Sequence, residues 1–447
     1  MEHAFAQAAV RFGYGTGPRD TAAGSPGAWL KDQLRGPDPG LASGRFDRLP
    51  TGRDAMDAIR ADQFERKALP EAARRAYKPI ALEMLRQDIA AQLDWTLATP
   101  APFRERLVWF WANHFSVSAV GLPGALVGPM VREAIRPHVT GRFADMVLAA
   151  ERHPAMLIYL ANAQSVGPNS PVGLRTQRGL NENLGRECME LHTVSLAAGY
   201  TQTDVTSMAK VLTGWSIAGS EGGSDATGFK FRPATHEPGP QRVMGRDYDG
   251  GEQAGIAALR DFATYPTTYR AIATKLVTHF VADAPPPHAI AHIAGVLHDT
   301  KGDLGAAAAA LVDLPEAWAP GHKFKTPFDY AVSVLRAAPA PAPQPRPNLR
   351  EVSNALGQPF WIAPLPNGWP DTAAPWSGSD ALMARIDWAY TYAGRFDAGR
   401  AGPQPADIAN AALGKLLRPA TYHAMAQAGS RREALTLLFT SPEFQRR

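Results

Sequence analysis

A chain of 447 residues can build one large helical body or two fused ones, and it exceeds what a single simple core needs. Its 46 basic and 42 acidic residues leave a net charge of only +4, and Arg74-Arg75 and Arg431-Arg432 are the nearest approach to a basic run, which argues against nucleic-acid binding. Cys188 is the single cysteine, so no intrachain disulfide can form, and no stretch reaches the ~18 apolar residues of a membrane span. The start, MEHAFAQAAVRFGYG, has no basic segment followed by an apolar one; as it stands the chain reads as cytoplasmic, and as periplasmic had an export signal been removed.

In chain order, helical periodicity dominates. Residues 80–98 carry Leu82, Leu85, Ile89 and Leu93 at helical spacing. An aromatic-rich helix follows at 103–115, then helices at 130–138, 143–150 and 155–161, the last opened by Pro154. Residues 162–179 are rich in Gly, Pro, Ser and Asn and read as a polar loop. A central helix pair is expected at 180–196 and 204–212. The segment 228–248 changes character: 229–231 and 242–244 are short β-like stretches among Gly and Pro, a small hairpin or irregular lobe. Helices resume at 252–263, 269–282, 288–298, 304–311 and 327–337. The fold class is therefore mainly α: a large multi-helix globular fold with a small β-hairpin or irregular insert. The main helical domain spans 1–337, with the insert at 228–248, and a stiff Pro-rich connector occupies 338–347 (APAPAPQPRP). Residues 348–447 form a C-terminal helical region, with a helix near 349–356, a Pro/Trp-rich loop at 359–376 and helices from 380 onward, packed back on the main domain.

The stretch 181–215 concentrates charge beside apolar periodicity. On a helical wheel Leu184, Cys188 and Leu191 share the buried face, with Asn183, Glu187 and Glu190 in a stripe beside it. Arg186 lies four residues after Glu182 and four before Glu190, within reach of either. Two carboxylates projecting together could serve as acid and base, one pKa raised by the other. An Arg-centred network bracing a buried helix explains the same residues. His192 lacks a second His at helical spacing, so no metal is expected. Thr201 with Asp204 forms a capping box, and Gly214 stops the second helix before Trp215, which either lines a cleft or fills the core.

Other candidates bind rather than react. Trp111, Asn113 and His114 suit stacking on sugars and recognition of their hydroxyls, or else a buried aromatic knot. His236-Glu237 sits on the irregular lobe, placed to act as an acid/base or a ligand or simply exposed; the rigid turn 364–370 fixes Trp369 for a ligand or for packing. There is no GxGxxG, Walker A, GxSxG or HExxH motif, so no cofactor is expected.

Several blocks together resemble the bacterial family known as domain of unknown function 1800. They are Arg11-Phe12-Gly13-Tyr14-Gly15 with 29–34, 111–115, 154–160, 181–190 with 200–215, Lys275-Leu276 with Phe280-Val281, and Gln358 through Asn367-Gly368-Trp369. The resemblance covers most of the chain. It implies no defined activity; members of that family are often exported and often encoded beside a sulfatase-like family. Where the family usually has His-Asp followed by Lys, this chain reads His236-Glu237-Pro238.

Two functions are therefore expected. One is a hydrolase-type enzyme acting on an envelope or extracellular polysaccharide, with Glu187 and Glu190 as acid and base and Arg186 holding them or the substrate. Paired carboxylates need a separation of ~5–9.5 Å, the lower part of which adjacent helical turns can span. Asn183, Trp111, Asn113, His114, Trp215, His236, Glu237 and Trp369 would bind the sugar. The other is a non-enzymatic helical scaffold or partner of a sulfatase-like protein.

Overall fold

Proline sets where many of the helices begin. Pro102–His114, Pro154–Tyr159, Pro266–Phe280, Pro287–Asp299 and Pro327–Ala337 all open on Pro, whose fixed φ and missing N–H carry no penalty in a first turn. A computed structural model describes residues 2–16, 24–176, 178–219, 225–319, 323–340, 345–396 and 403–447. The protein is mainly α, with two small antiparallel strand pairs among the described residues. The helices Ile80–Ala98, Glu252–Ala263 and Pro327–Ala337 run between the bounds expected from periodicity.

Pro102–His114 crosses the core, burying Phe103, Leu107, Val108 and Trp111 together with Arg104, Glu105 and Arg106. Buried charge is tolerated there because it is paired: both Glu105 oxygens accept from Arg136 at 2.7 Å. Asp38 closes the group at 3.6 Å from Arg136.

The central pair differs in detail from a regular helix. The first member is Asn183–Glu187 followed by a π turn, Cys188–His192, and the second is Gln202–Val211. The wider π turn advances each residue by less than an α-helical step. It brings His192 to the buried face and leaves Leu191 half-exposed, where an unbroken α-helix would have buried Leu191. Gly185 lets the two helices touch: a Cβ there would lie 2.8 Å from the Ala209 nitrogen. Thr201 and Asp204 form the expected capping box, and Asp204 also accepts from Met244 N at 2.6 Å, holding the hairpin against the helix. That hairpin is Gln241–Val243 with Arg246–Tyr248, closed by Met244 and Gly245 at φ 47° and 81°, the two positive values a tight two-residue turn requires.

Three loop expectations are corrected. The 162–179 loop contains the helix Pro171–Thr176, and the Ser170 hydroxyl accepts from Gly173 N within its first turn. Trp215 is not only a residue after a helix stop; it opens the strand Trp215–Ile217, which pairs with Phe229–Phe231 in the register Trp215↔Phe231. A three-residue strand whose partner is a dozen residues away leaves little period-2 signal. The Pro/Trp-rich loop contains a turn of 3-10 helix at Ala374–Trp376. Of the 338–347 connector, residues 341–344 lie outside the described residues. Beyond it, Ser379–Ala393 is tied to the main body by Arg385, which donates to the Lys325 carbonyl at 2.8 Å and to Gln445 Oε1 at 2.7 Å.

Candidate functional site

A cleft of about 340 Å³ lies between Pro102–His114, Pro266–Phe280, the start of Pro327–Ala337 and the segment 353–371. That volume lies in the range of small-ligand sites, which usually pair apolar walls with a few fixed polar groups. Trp109, Phe110, Phe328, Phe360, Trp361 and Trp369 supply aromatic wall. Trp109 and Trp361 have ring centroids 6.1 Å apart, and Phe328 stacks on Phe360 at 5.6 Å.

Polar groups reach the cleft from Pro266–Phe280. This helix buries Ile272, Ala273, Leu276, Val277 and Phe280 on its core side. Lys275 and His279, one helical turn apart, are thereby turned to the cleft. His279 Nδ1 donates to Asp371 Oδ2 at 2.6 Å. Arg447 donates to the other Asp371 oxygen at 3.2 Å and lies 3.5 Å from Asp329, which also accepts from Arg106 at 2.9 Å. The Arg447 guanidinium is placed by its own backbone, which exchanges hydrogen bonds with Lys323 at 2.8 and 3.1 Å.

The electrostatics follow from this enclosure. Burial pushes His279 down to about 4, and Arg447 and Arg106 add to that against the opposing pull of Asp371. The imidazole is therefore neutral at pH 7, with its proton on Nδ1 and its lone pair on Nε2, which meets Arg447 Nη1 at 3.4 Å. Burial alone would raise Asp371, but His279, Arg447 and Lys323 outweigh it and hold the carboxylate well below its usual range. Asp329 is treated the same way by Arg106 and Arg447.

Lys275 connects the cleft to the central helix. Its ammonium donates to the Leu191 carbonyl at 3.0 Å and to His114 Nδ1 at 3.1 Å, and His114 Nε2 donates to the His192 carbonyl at 3.2 Å. Lys275 and His114 thus satisfy carbonyls left open where the π turn ends. Burial pushes Lys275 down to about 8; burial, then the Lys275 charge, puts His114 far below the usual imidazole range.

Of the residues expected from sequence, Asn113, His114 and Trp369 line this cleft. Asn113 is spent on backbone: its amide donates to the Trp369 carbonyl at 2.9 Å and accepts from Trp369 N at 2.8 Å. Trp111 is buried beneath the cleft, packed on Phe110, Phe115 and Phe143. Trp215 is fully buried in the strand pair, under Arg152. His236 holds the Thr213 carbonyl and Gly251 N at 2.7 Å each. Buried Glu237 receives Asn169 N at 2.9 Å and Asn169 Nδ2 at 2.6 Å. Asn183 is exposed at the start of its helix.

Arg186 pairs with Glu182 at 3.0 Å rather than with Glu190, and Glu182 also accepts from Gln202 and Thr206 across the helix pair. Glu187 and Glu190 are half-buried, with no hydrogen bond or ion pair among the described residues, and they do not line the cleft. Burial raises the Glu187 pKa, and Glu190 adds to it against the opposing charges of His192 and Arg186. The buried partner of His192 is Glu151, 2.6 Å from Nδ1.

Sequence reasoning missed Arg106, His279, Asp329, Asp371 and Arg447. A partial signal existed: Lys275 and His279 share the i,i+4 spacing, and Asp371 directly follows the rigid turn at 364–370. Four blocks that carried the family resemblance (Tyr14 of 11–15, 111–115, Lys275-Leu276 and 358–369) contribute residues to the cleft.

Fold and cleft define a mainly helical protein with an aromatic-walled site braced by buried arginines. The chain belongs to the family described as "Protein of unknown function (DUF1800)", whose model matches residues 7–446. No curated protein and no solved structure matches it. Among the described residues no helix is long and apolar enough to cross a membrane, and no group of three His, Cys, Asp or Glu side chains could hold a metal ion.

Proposed function

We propose that the protein is a hydrolase of a saccharide-bearing substrate, an envelope or extracellular polysaccharide, which lies in the aromatic cleft with His279 as general base. The observation that carries this reading is the 2.6 Å His279–Asp371 pair at the polar end of an aromatic-walled cavity. Asp371 fixes the tautomer that puts the lone pair on Nε2 and balances the imidazolium formed when His279 takes a proton from a bound water. A substrate that seats this water displaces the long Arg447 contact from Nε2. Indole and phenyl faces suit the apolar faces of sugar rings, as Trp361 and Trp109 do here.

This moves the proposed chemistry away from Glu187 and Glu190. The carboxylates that line the cleft, Asp329 and Asp371, are held ionised by arginines, so neither can donate a proton as a paired-carboxylate glycosidase requires. The bond best matched to a base acting on water is an acyl ester on a sugar.

The test is a panel of O-acetylated and plain oligosaccharides. His279→Gln should lose roughly 10²–10⁴-fold in kcat/KM while still binding the substrate. Full turnover by a folded His279→Gln protein would remove the reading and leave the helical partner of a sulfatase-like protein in its place.

A further inference from the structure

On the buried parts of the cleft lining, the hydrogen-bonding capacity left over has one sign. Asp329 and Asp371 are occupied by Arg106, Arg447 and His279, and the Asn113 amide by Trp369. The polar atoms without a partner on the buried parts of the lining side chains are all donors: Arg106 Nη2, Trp361 Nε1 and Trp369 Nε1. Lys275 gives one proton to His114 and one to the Leu191 carbonyl, which leaves one of its three. No carboxylate among the described residues pairs with it. Lys325 likewise makes no ion pair among the described residues; its ammonium lies 4.4 Å from the Phe444 ring.

We propose that the cleft is specific for an anionic saccharide, one bearing a carboxylate or a sulfate ester, and that Lys275 Nζ is the group that receives the anion. This rests on the saccharide reading of the cleft and names the substrate class for it. Charge-assisted hydrogen bonds are about twice as strong as neutral ones. They gain further where the cation is already stripped of water, as the fall of Lys275 to about 8 through burial indicates. A neutral sugar would leave that charge uncompensated. Lys275 and His279 are one turn apart on the same helix face, so an anion on Lys275 also fixes which part of the sugar meets the base.

Calorimetry on the full chain tests this with three probes: a galacturonic acid trisaccharide, a galactose trisaccharide carrying sulfate, and the uncharged galactose trisaccharide. At least one anionic probe should bind about tenfold or more tighter than the neutral one, a difference of about 1.4 kcal/mol. The two anionic probes separate carboxylate from sulfate recognition. Lys275→Met should abolish the preference and Lys275→Arg should keep most of it. Raising the salt concentration on the unmodified protein should weaken only the anionic probe, a readout that needs no variant. Equal binding of all three probes, unmoved by salt or by Lys275→Met, overturns the anion assignment and leaves the saccharide cleft standing. If sodium sulfate or acetate binds as tightly as the charged sugars, the anion assignment holds and the saccharide reading fails. If none of the probes binds, both fail.

Discussion

The helix pair at 181–215 and the cleft at His279 both gather charged side chains, but they dispose of the charge in opposite ways. On the outer face of the helix pair Arg186–Glu182 joins neighbours on the same helix and stays partly in water, and among the described residues Glu187 and Glu190 go unpaired. In the cleft the partners come from residues 106, 279, 329, 371 and 447 and meet only in the folded state, mostly out of water. Exposed i,i+4 pairs contribute a few tenths of a kcal/mol. A buried carboxylate held by two cations is nearly neutral to keep and costly to break. Chemistry of the acid/base kind needs the second environment, where a neutral His and an ionised Asp can coexist at 2.6 Å.

That contrast has measurable consequences. Asp371→Ala would remove the carboxylate that His279 and Arg447 share and leave Arg447 with Asp329 alone, and it should cost about 3–5 kcal/mol in urea unfolding. A loss below about 1 kcal/mol would show that water already screens the pair.

Next in size is a pH effect. His279 titrates near its ordinary 6.5 in the unfolded chain and at about 4 in the fold, so the unfolded state binds the extra proton between those values. Its contribution is complete above pH 6.5 and is lost as pH falls to about 4, amounting to about 3 kcal/mol. Comparing the pH profiles of the unmodified protein and His279→Gln isolates this share; parallel profiles would contradict it. The acid limb of kcat/KM should fall near the same folded value of about 4.

Gly185→Ala probes the helix pair through its backbone instead of its charges. The added Cβ would sit 2.8 Å from Ala209 N, and forcing the helices apart should cost about 1–3 kcal/mol in thermal unfolding.

The smallest effect belongs to the residues that drew most attention in the sequence. Burial raises the Glu187 pKa, so its ionised form is disfavoured in the fold, and the penalty is complete once pH exceeds the folded value. Glu187→Gln should therefore be neutral or stabilising by a few tenths of a kcal/mol at pH 7. A loss above about 1 kcal/mol would mean that the carboxylate has a structural partner.

Much of the fold was legible because helices are written locally. Pro154, the Thr201–Asp204 box and the apolar spacing of 80–98 each act within a few residues, and their elements formed as expected. The π turn was not legible: the same letters, CMELH, fit an α-helix, and only the Glu151–His192 bond and the carbonyls taken by Lys275 and His114 reveal the wider turn. The site was least legible. Asn113, His114 and Trp369 could be picked because aromatic and amide side chains stand together in short motifs. Asp329 and Arg447 have no local distinction; what marks them is an encounter across more than a hundred residues.

The most direct measurement is the affinity for the tightest-binding saccharide of the unmodified protein, of Trp361→Ala and of the double variant Glu187→Gln/Glu190→Gln. Function in the cleft predicts that removing the Trp361 ring weakens binding by about tenfold, while the double variant stays within about twofold of the unmodified protein. The reverse pattern, with binding lost in the double variant and kept without Trp361, would return the site to the helix pair.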